Sequence, residues 1–412
     1  MTLQNREISP DTNQPVKKRQ GGWRFAIFYF LSLAAISVYG TYGSLYFKRR
    51  GVSNVQLGVL FAIPAWVGIF APLLWGIISD ALRQRKLPCF LMQLMTALIF
   101  PLFWFWNGGS FVLLCLLMGF FTLFFRAGIP IVDAWTLDHI QRRGGDYGRI
   151  RSWGSAGFVI ALLLSIFVLK KSSMLQASDL LPVFIIFCAF RVASSLYALT
   201  LPDYHSTGKR PKLNWGSLRV YLRPFALVFF LAVFMSRFLF APYYTFFTIF
   251  LDQQGIPDNL KGIYWMVAVG AETGLIAVSG SLMKRLGAVP LLLAGLSAMA
   301  LRMFVYSLEP GWYIILAMQS LHALTFGAFH VASIQIINRI TPQEFRASGQ
   351  TFNAALLGVG GMLGSAIGGA CSQAYGLVGM FRIFSITAAA TVILITILFL
   401  VFRENGIADR SD

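Results

Sequence analysis

Asp203 to Arg223 reads DYHSTGKRPKLNWGSLRVYLR, and this polar stretch divides the chain into two sets of six apolar segments. Before it the segments lie near 24–47, 55–79, 87–106, 110–136, 152–170 and 180–201. After it they lie near 224–250, 261–283, 288–308, 311–337, 346–374 and 377–402. A helix needs about 20 residues to cross the hydrocarbon core, and none of these runs shows the strict alternation of a barrel strand. Composition agrees: of 412 residues 57% are hydrophobic and 12% charged, with mean hydropathy +0.68, where a soluble domain carries about 25% charged residues. That balance excludes a soluble enzyme, a nucleic-acid binder and a disordered regulator. The sequence predicts an all-α polytopic membrane protein with twelve transmembrane helices.

The net charge of +18 is then an orientation signal. With the N-terminus cytoplasmic, the cytoplasmic segments hold twenty-three of the 34 Lys and Arg residues, among them Lys17, Lys18, Arg83, Arg85, Lys86, Arg142, Arg143, Lys209 and Arg210. Six fall in the opposite loops (Lys48, Arg49, Arg50, Lys170, Lys171, Lys261), and five inside spans. Both termini are therefore expected in the cytoplasm. The domain plan is a disordered tail over 1–22, a six-helix bundle over 23–201, a linker over 202–223, a second bundle over 224–402 and a tail over 403–412. Cys89, Cys115, Cys188 and Cys371 stand singly within spans, without metal-ligand spacing, so no metal or cofactor is expected.

The halves echo each other. Asp146-Tyr147-Gly148-Arg149 with Ser152-Trp153-Gly154 recurs as Glu344-Phe345-Arg346 with Ser348-Gly349, about half a chain later. Gly76 to Asp80 is matched more weakly by Gly280 to Lys284. Parallel repeats of this kind build two pseudo-symmetric six-helix bundles that bind substrate between them near the midplane.

The loop Gly76-Ile77-Ile78-Ser79-Asp80-Ala81-Leu82-Arg83-Gln84-Arg85-Lys86 resembles the G-x-x-x-D-x-x-x-x-R-[KR] motif of the major facilitator superfamily, with Arg83 where many members have glycine. Within that superfamily the chain is similar to the branch of lactose permease, the nucleoside–proton symporters and the phenylpropionate permeases. The likeness rests on Tyr39–Arg50 with Gly51-Val52-Ser53, Tyr243 to Phe247, Gly270-Ala271-Glu272, and Leu321 to Phe326 with His330. The resemblance implies the superfamily's fold and makes Asp133 a substrate-binding carboxylate, Arg151 its partner and Phe158 a stacking surface where lactose permease has tryptophan. It places Arg302 and His322 on the family's arginine and histidine, but Gln319 and Thr325 stand where lactose permease has a lysine and the proton-carrying glutamate.

Seven ionisable residues fall at membrane depth: Arg126, Asp133, Arg191, Arg237, Glu272, Arg302 and Arg382. Unpaired, they would cost about 20 kcal/mol together, so they must face one another or a wet cavity. Asp133 and Glu272 are the two acids among them, and the cationic surplus suits a small organic anion held by arginine forks. Arg126, Asp133, Arg151, Phe158, Arg237, Tyr243 and Arg302 are the expected substrate-binding residues; Glu272, His322 and His330 are the proton-coupling candidates, histidine titrating near pH 6.5 when unperturbed. A structural pair pinning two helices and an interhelical histidine hydrogen bond are the plainer readings of the same residues. Pro130 and Pro242 are expected to kink spans four and seven beside Arg126 and Arg237. Gly360, Gly364 and Gly368, every fourth residue, predict a close backbone approach, either a rocking contact or simple packing. Asp80 and Arg85 are candidates for a cytoplasmic gate.

The expected function is secondary active transport of a small solute, an aromatic or other small carboxylate, as a proton symporter working as a monomer in a bacterial inner membrane. A sugar or nucleoside symporter, an efflux antiporter of the same fold and a transporter-like sensor are the alternatives. No P-loop is present, which excludes ATP-driven transport, and a membrane enzyme lacks its motif, since His139, His205, His322 and His330 show no zinc spacing. Partners are the solute, protons and the lipid bilayer, not nucleic acid.

Overall fold

A computed structural model describes residues 22–169, 176–203, 221–342 and 345–402. The tail before Gly22, most of the 202–223 linker with Lys209 and Arg210, the loop lysines Lys170 and Lys171, and the tail 403–412 lie outside the described residues. What is described is helical because an apolar chain in lipid must satisfy every backbone group within the segment.

The first half comprises α1 (Gly22–Arg49), α2 (Asn54–Ala81), α3 (Lys86–Ile99) extended by a 3-10 turn Phe100–Phe105, α4 (Phe111–Phe125), α5 (Gly128–Arg143), α6 (Tyr147–Val168) and α7 (Leu181–Ala198). The second comprises α8 (Pro224–Gln253), α9 (Asp258–Leu286), α10 (Ala288–Tyr306), α11 (Trp312–Met318), α12 (Phe329–Ile340) and α13 (Arg346–Val401). Polar side chains start several of them. Ser53 and Gln56 form a capping box at α2, and Asp146 accepts from the Arg149 backbone N–H at 2.6 Å to start α6. Glycines with positive φ end others: Gly144 (75°) closes α5 and Gly287 (81°) separates α9 from α10.

Twelve crossings result. α4 and α5 make the fourth, interrupted at Arg126 and Ala127; α11 and α12 make the tenth, joined through a π-helical turn, Ala323–Ala328. α13 runs for 56 residues, far more than one crossing, and bends at Gly376, where φ is 70° and ψ 176°. Spans eleven and twelve are therefore one helical hairpin without a loop. The break in span four falls just before Pro130, as its ring predicts. α8 stays helical through Pro242, and the carbonyl of Phe238 that the proline frees faces Gly364.

Packing separates the halves. α1 packs on α6 and α7, α3 on α4 and α7, and α2 on α4; in the other half α8 and α10 pack on α13 and α9 on the tenth crossing. Each half has a core of its own, around Phe25, Tyr29 and Trp135 in one and Phe229, Leu292 and Ile336 in the other, and a larger aromatic core draws on both, from Tyr39 and Phe121 to Phe247 and Phe381. Large apolar side chains such as Phe167, Ile185, Ile386 and Leu400 are exposed, as lipid-facing positions require. Trp23, Phe105, Trp312 and Tyr313 are exposed near span ends, an aromatic belt.

The halves meet along α2 with α13, α6 with α9 and α1 with α8. Among the described residues, the hydrogen bonds and ion pairs joining them all lie toward one face, opposite the one where Gly22 and Phe402 emerge. On this far face Arg49 reaches across to Asp252 (2.7 Å) and Asp258 (2.7 Å), and Lys261 holds both acids as well. Tyr42 donates to the Asp258 carbonyl (3.1 Å), and Asn54 bonds Gln373 and the Ser372 carbonyl. The molecule is sealed there and splits toward the terminal face.

Glycines at the seam correct the sequence reading. Gly360, Gly364 and Gly368 do admit a close neighbour, but it is α8 of the same half: their absent side chains face the carbonyls of Phe234 and Phe238 and the ring of Pro242. That stripe is packing within a bundle. The contact between halves uses the adjacent stripe, Gly358, Gly361, Ser365 and Gly369, against Gly58, Ala65 and Ile69 of α2.

Candidate functional site

Near the middle of the membrane the ionisable side chains form two clusters, one per half, facing the split. In the first half Tyr29 of α1 donates to Asp133 of α5 at 2.5 Å, and Thr136, one turn on, lies 3.3 Å from the same phenol. Arg151 of α6 brings its Nε to 3.8 Å from Asp133 and lays its guanidinium 5.2 Å from the centre of the Tyr29 ring. Asp133 and Arg151 keep about a third of their side-chain surface open, so this pair is wet. The expected Asp133–Arg151 partnership is present; Tyr29, which completes it, carries no signal that sets it apart from the other tyrosines of the sequence.

In the second half Glu272 of α9 lies 3.5 Å from His322 Nε2, and His322 Nδ1 lies 3.5 Å from the Arg302 guanidinium. Arg302 is buried. It donates to Thr325 (3.0 Å), Gln319 (3.1 Å) and Tyr306 (3.4 Å) and sits 4.4 Å from the centre of the Tyr243 ring. Tyr243 donates to Gln319 at 2.7 Å, and Gln319 in turn to Tyr306 at 2.8 Å. Gln319 and Thr325, the two departures from lactose permease, thus replace charged groups by neutral acceptors, and the guanidinium is held by dipoles and an aromatic face. Arg302 and Tyr243, expected to touch substrate, have no open face to the split in this conformation.

The π-helical turn follows directly. His322, Phe326 and His330 stack ring on ring, at 5.7 Å and 5.5 Å, with His322 buried and His330 exposed to the split. In an α-helix residues four apart overshoot a full turn, so a third ring would drift off the column. The wider i→i+5 turn undershoots it and keeps the three in register.

Arg126 occupies the break between α4 and α5, exposed although it is at membrane depth, with its Nε against Gly68 of α2. Arg237 of α8 is half-buried, beside Gly361 and 5.5 Å from the Tyr244 ring centre. Arg126 does not pair with Asp133, two turns away. Phe158 is half-buried and packs on the central aromatic core. The remaining buried arginine, Arg191, bonds Gln93 and lies between Phe125 and Phe187 inside the first bundle, while Arg382 is exposed, under two turns from the Gly376 bend.

At the terminal face Arg85 pairs with Asp138 of its own half at 2.8 Å and its backbone N–H bonds Asp203. The expected gate residue therefore clamps the first bundle to itself, and Asp80 is exposed. Arg83 adopts a φ of 52°, so the left-handed turn is kept without glycine. The Arg49–Asp252–Asp258–Lys261 network escaped the sequence reading, which treated Arg49 and Lys261 as loop charges. The signal was there in Asp252, Asp258 and Lys261, acids and a base spaced to meet at the start of one helix.

Similarity to known proteins agrees with this architecture. The profile of the MFS_1 like family matches residues 22–383. The chain is 26% identical to a maltose permease of Geobacillus stearothermophilus over 91% of its length and 93% of that protein. It is 24% identical to a probable 3-phenylpropionic acid transporter of Escherichia coli K12, covering 76% and 81% of the two chains. Its fold superposes on that of the nucleoside transporter NupG (D323A mutant) with a TM-score of 0.80, at 16% identity and covering 92% and 99% of the chains. A bacterial homologue of the lysosomal transporter Spinster, solved inward-facing and occupied, gives 0.68 at 17% identity, over 94% and 99%. With a profile that spans most of the chain and this two-bundle fold, the protein belongs to the MFS_1 like family and is a membrane transporter, not an enzyme.

Proposed function

We propose that the protein carries a small organic anion, an aromatic or other small carboxylate, by alternating access across a bacterial inner membrane, coupled to protons and acting as a monomer. The observation that carries this reading is the charge balance of the split. Arg126 and Arg237 have no ion pair among the described residues, whereas Asp133 is engaged by Tyr29 and Arg151, and Glu272 lies beside His322. Guanidiniums left over in a low-dielectric site favour a carboxylate, which they bind in bidentate fashion. Tyr244, half-buried beside Arg237, offers an aromatic wall.

The excess of Lys and Arg toward the terminal face favours cytoplasmic termini, and with that orientation the conformation, sealed on the far face, is inward-open. Glu272 and His322 are the proposed proton carriers. Arg302 has no carboxylate partner among the described residues, so it serves as a fixed charge behind His322.

A thermal-shift panel of aromatic acids, nucleosides and disaccharides tests the substrate class. A ligand at 100 times its Kd stabilises by about 2.7 kcal/mol. Stabilisation by aromatic acids alone is expected; stabilisation by nucleosides or sugars alone refutes the carboxylate. A neutral sugar or nucleoside is the second reading, favoured by the wet Tyr29–Asp133–Arg151 group, which is built to hydrogen-bond hydroxyls. Charge movement separates the two: a neutral solute entering with a proton carries current, a monoanion entering with one proton does not. Glu272→Gln should abolish uphill transport while leaving counterflow.

A further inference from the structure

Arg126 and Arg237 come from opposite halves, Arg126 against α2 and Arg237 beside Gly361 of α13, which packs on α2. A methyl group at Gly68 would stand 2.9 Å from Arg126 Nε; one at Gly361 would stand 3.3 Å from Arg237 Cγ and 3.4 Å from Ala65 Cβ. Ala65 and Gly68 are three residues apart and so are neighbours on the helix surface. Arg126 thus lies against this patch of α2, Arg237 lies beside the glycine that packs on it, and each arginine lies in the other's field. Neither has an ion pair among the described residues, since Asp133 is tied to Tyr29 and Arg151 and Glu272 lies beside His322. The pair straddles the seam that must rearrange during transport.

We infer, resting on the anion-carrier reading above, that Arg126 and Arg237 form a single split anion site, and that an anion bridging them is the condition for closing the terminal-face opening. While the split is open, water screens the two like charges. Closure expels that water. Taking two like charges from bulk water to an effective dielectric constant near 20 strengthens their repulsion about fourfold, against the closed form. A carboxylate between the guanidiniums reverses the sign, giving each fork an acceptor just as solvent is lost. The loaded carrier then crosses over readily and the empty one reluctantly, so exchange outpaces net flux.

Hydrogen exchange on the purified full-length protein in nanodiscs tests this without any reporter mutation. The probes are 3-phenylpropionate and its uncharged isostere 3-phenylpropionamide, and the readout is the far-face seam, residues 54–58 and 369–373. In wild type the empty protein should protect the seam, 3-phenylpropionate should raise its exchange roughly tenfold or more, and the amide should not. Arg126→Gln, and independently Arg237→Gln, should show the raised exchange with no ligand present. If both variants melt cooperatively yet keep the empty wild-type pattern, or if acid and amide act alike on wild type, the inference is overturned. Carboxylates that stabilise wild type while the variants keep its empty pattern leave the anion-carrier reading standing without the inference. Variants that open the far face while no carboxylate acts on wild type leave the split arginine pair standing and remove the substrate reading.

Discussion

Gly58→Ala should bias the carrier toward the conformation open at the far face. A methyl group at Gly58 would lie 2.5 Å from the Ser365 carbonyl oxygen and 2.8 Å from the Gly369 Cα, both backbone atoms of a helix that cannot swing aside. Overpacking of this kind costs about 1–3 kcal/mol. The contact joins the two halves and exists only while the far face is sealed, so the cost falls on that conformation alone. The equilibrium should move about 5- to 150-fold toward the far-face-open form. Gly364→Ala is the control. Its methyl group would collide with the Phe238 carbonyl, but within one half, in every conformation. It should lower the melting temperature without biasing the transport cycle. The assay is alkylation of Ser372→Cys by a bulky thiol reagent, quantified per site by mass spectrometry so that native Cys371 is resolved. Ser372 is buried, and its carbonyl accepts from Asn54 across the seam. Labelling should accelerate strongly with Gly58→Ala and hardly at all with Gly364→Ala. Equal labelling of Gly58→Ala and its parent, or equal acceleration by both glycine variants, would refute the assignment of the two stripes.

Three further outcomes are expected. Arg49→Gln leaves Asp252 and Asp258 to Lys261 alone, and breaking a buried ion pair costs about 3–5 kcal/mol. The melting temperature should drop and part of the loss return in the double variant with Asp258→Asn, measured by a fluorescence melt; full additivity of the two would argue against the network. Asp133→Asn turns the 2.5 Å hydrogen bond from Tyr29 into a neutral one, a loss of about 1 kcal/mol, so the melting temperature of the ligand-free protein should fall slightly. Tyr29→Phe should match it, and the double variant should be no worse than either. Arg83→Gly should raise the melting temperature slightly, since a φ of 52° costs a non-glycine residue about 1 kcal/mol; an unchanged or lower melting temperature would show that the Arg83 side chain itself contributes.

Much of the architecture was readable because membrane burial is a one-dimensional constraint. Span length acts locally and has its counterpart in the described helices. The Asp133–Arg151 pairing was legible through the resemblance to lactose permease; the charge argument by itself required a cation near Asp133 without saying which. What the sequence hid were choices of neighbour. Gly360, Gly364 and Gly368 declare a close contact, yet spacing along one helix does not say whether the partner is α8 or α2. Pro242 announces a freed carbonyl, but not what faces Phe238, and Gly364 lies more than a hundred residues away. Arg302 looked like a substrate arginine until Gln319, Tyr243 and Tyr306 were seen to enclose it. Arg85 pairs with Asp138, on another helix of its own bundle, a neighbour that its place in the loop does not announce.

The Gly376 bend has a practical corollary for anyone handling the protein. With spans eleven and twelve joined by one residue rather than a connecting segment, there is no slack at that turn for an epitope, a protease site or a reporter insertion. The pair should also leave the insertion machinery as a single unit, since neither helix has a polar flank there on which to pause. A truncation ending at residue 375 would therefore remove more than the last crossing. It would leave the helix that carries Gly358, Gly361 and Gly369 without the partner folded back against it.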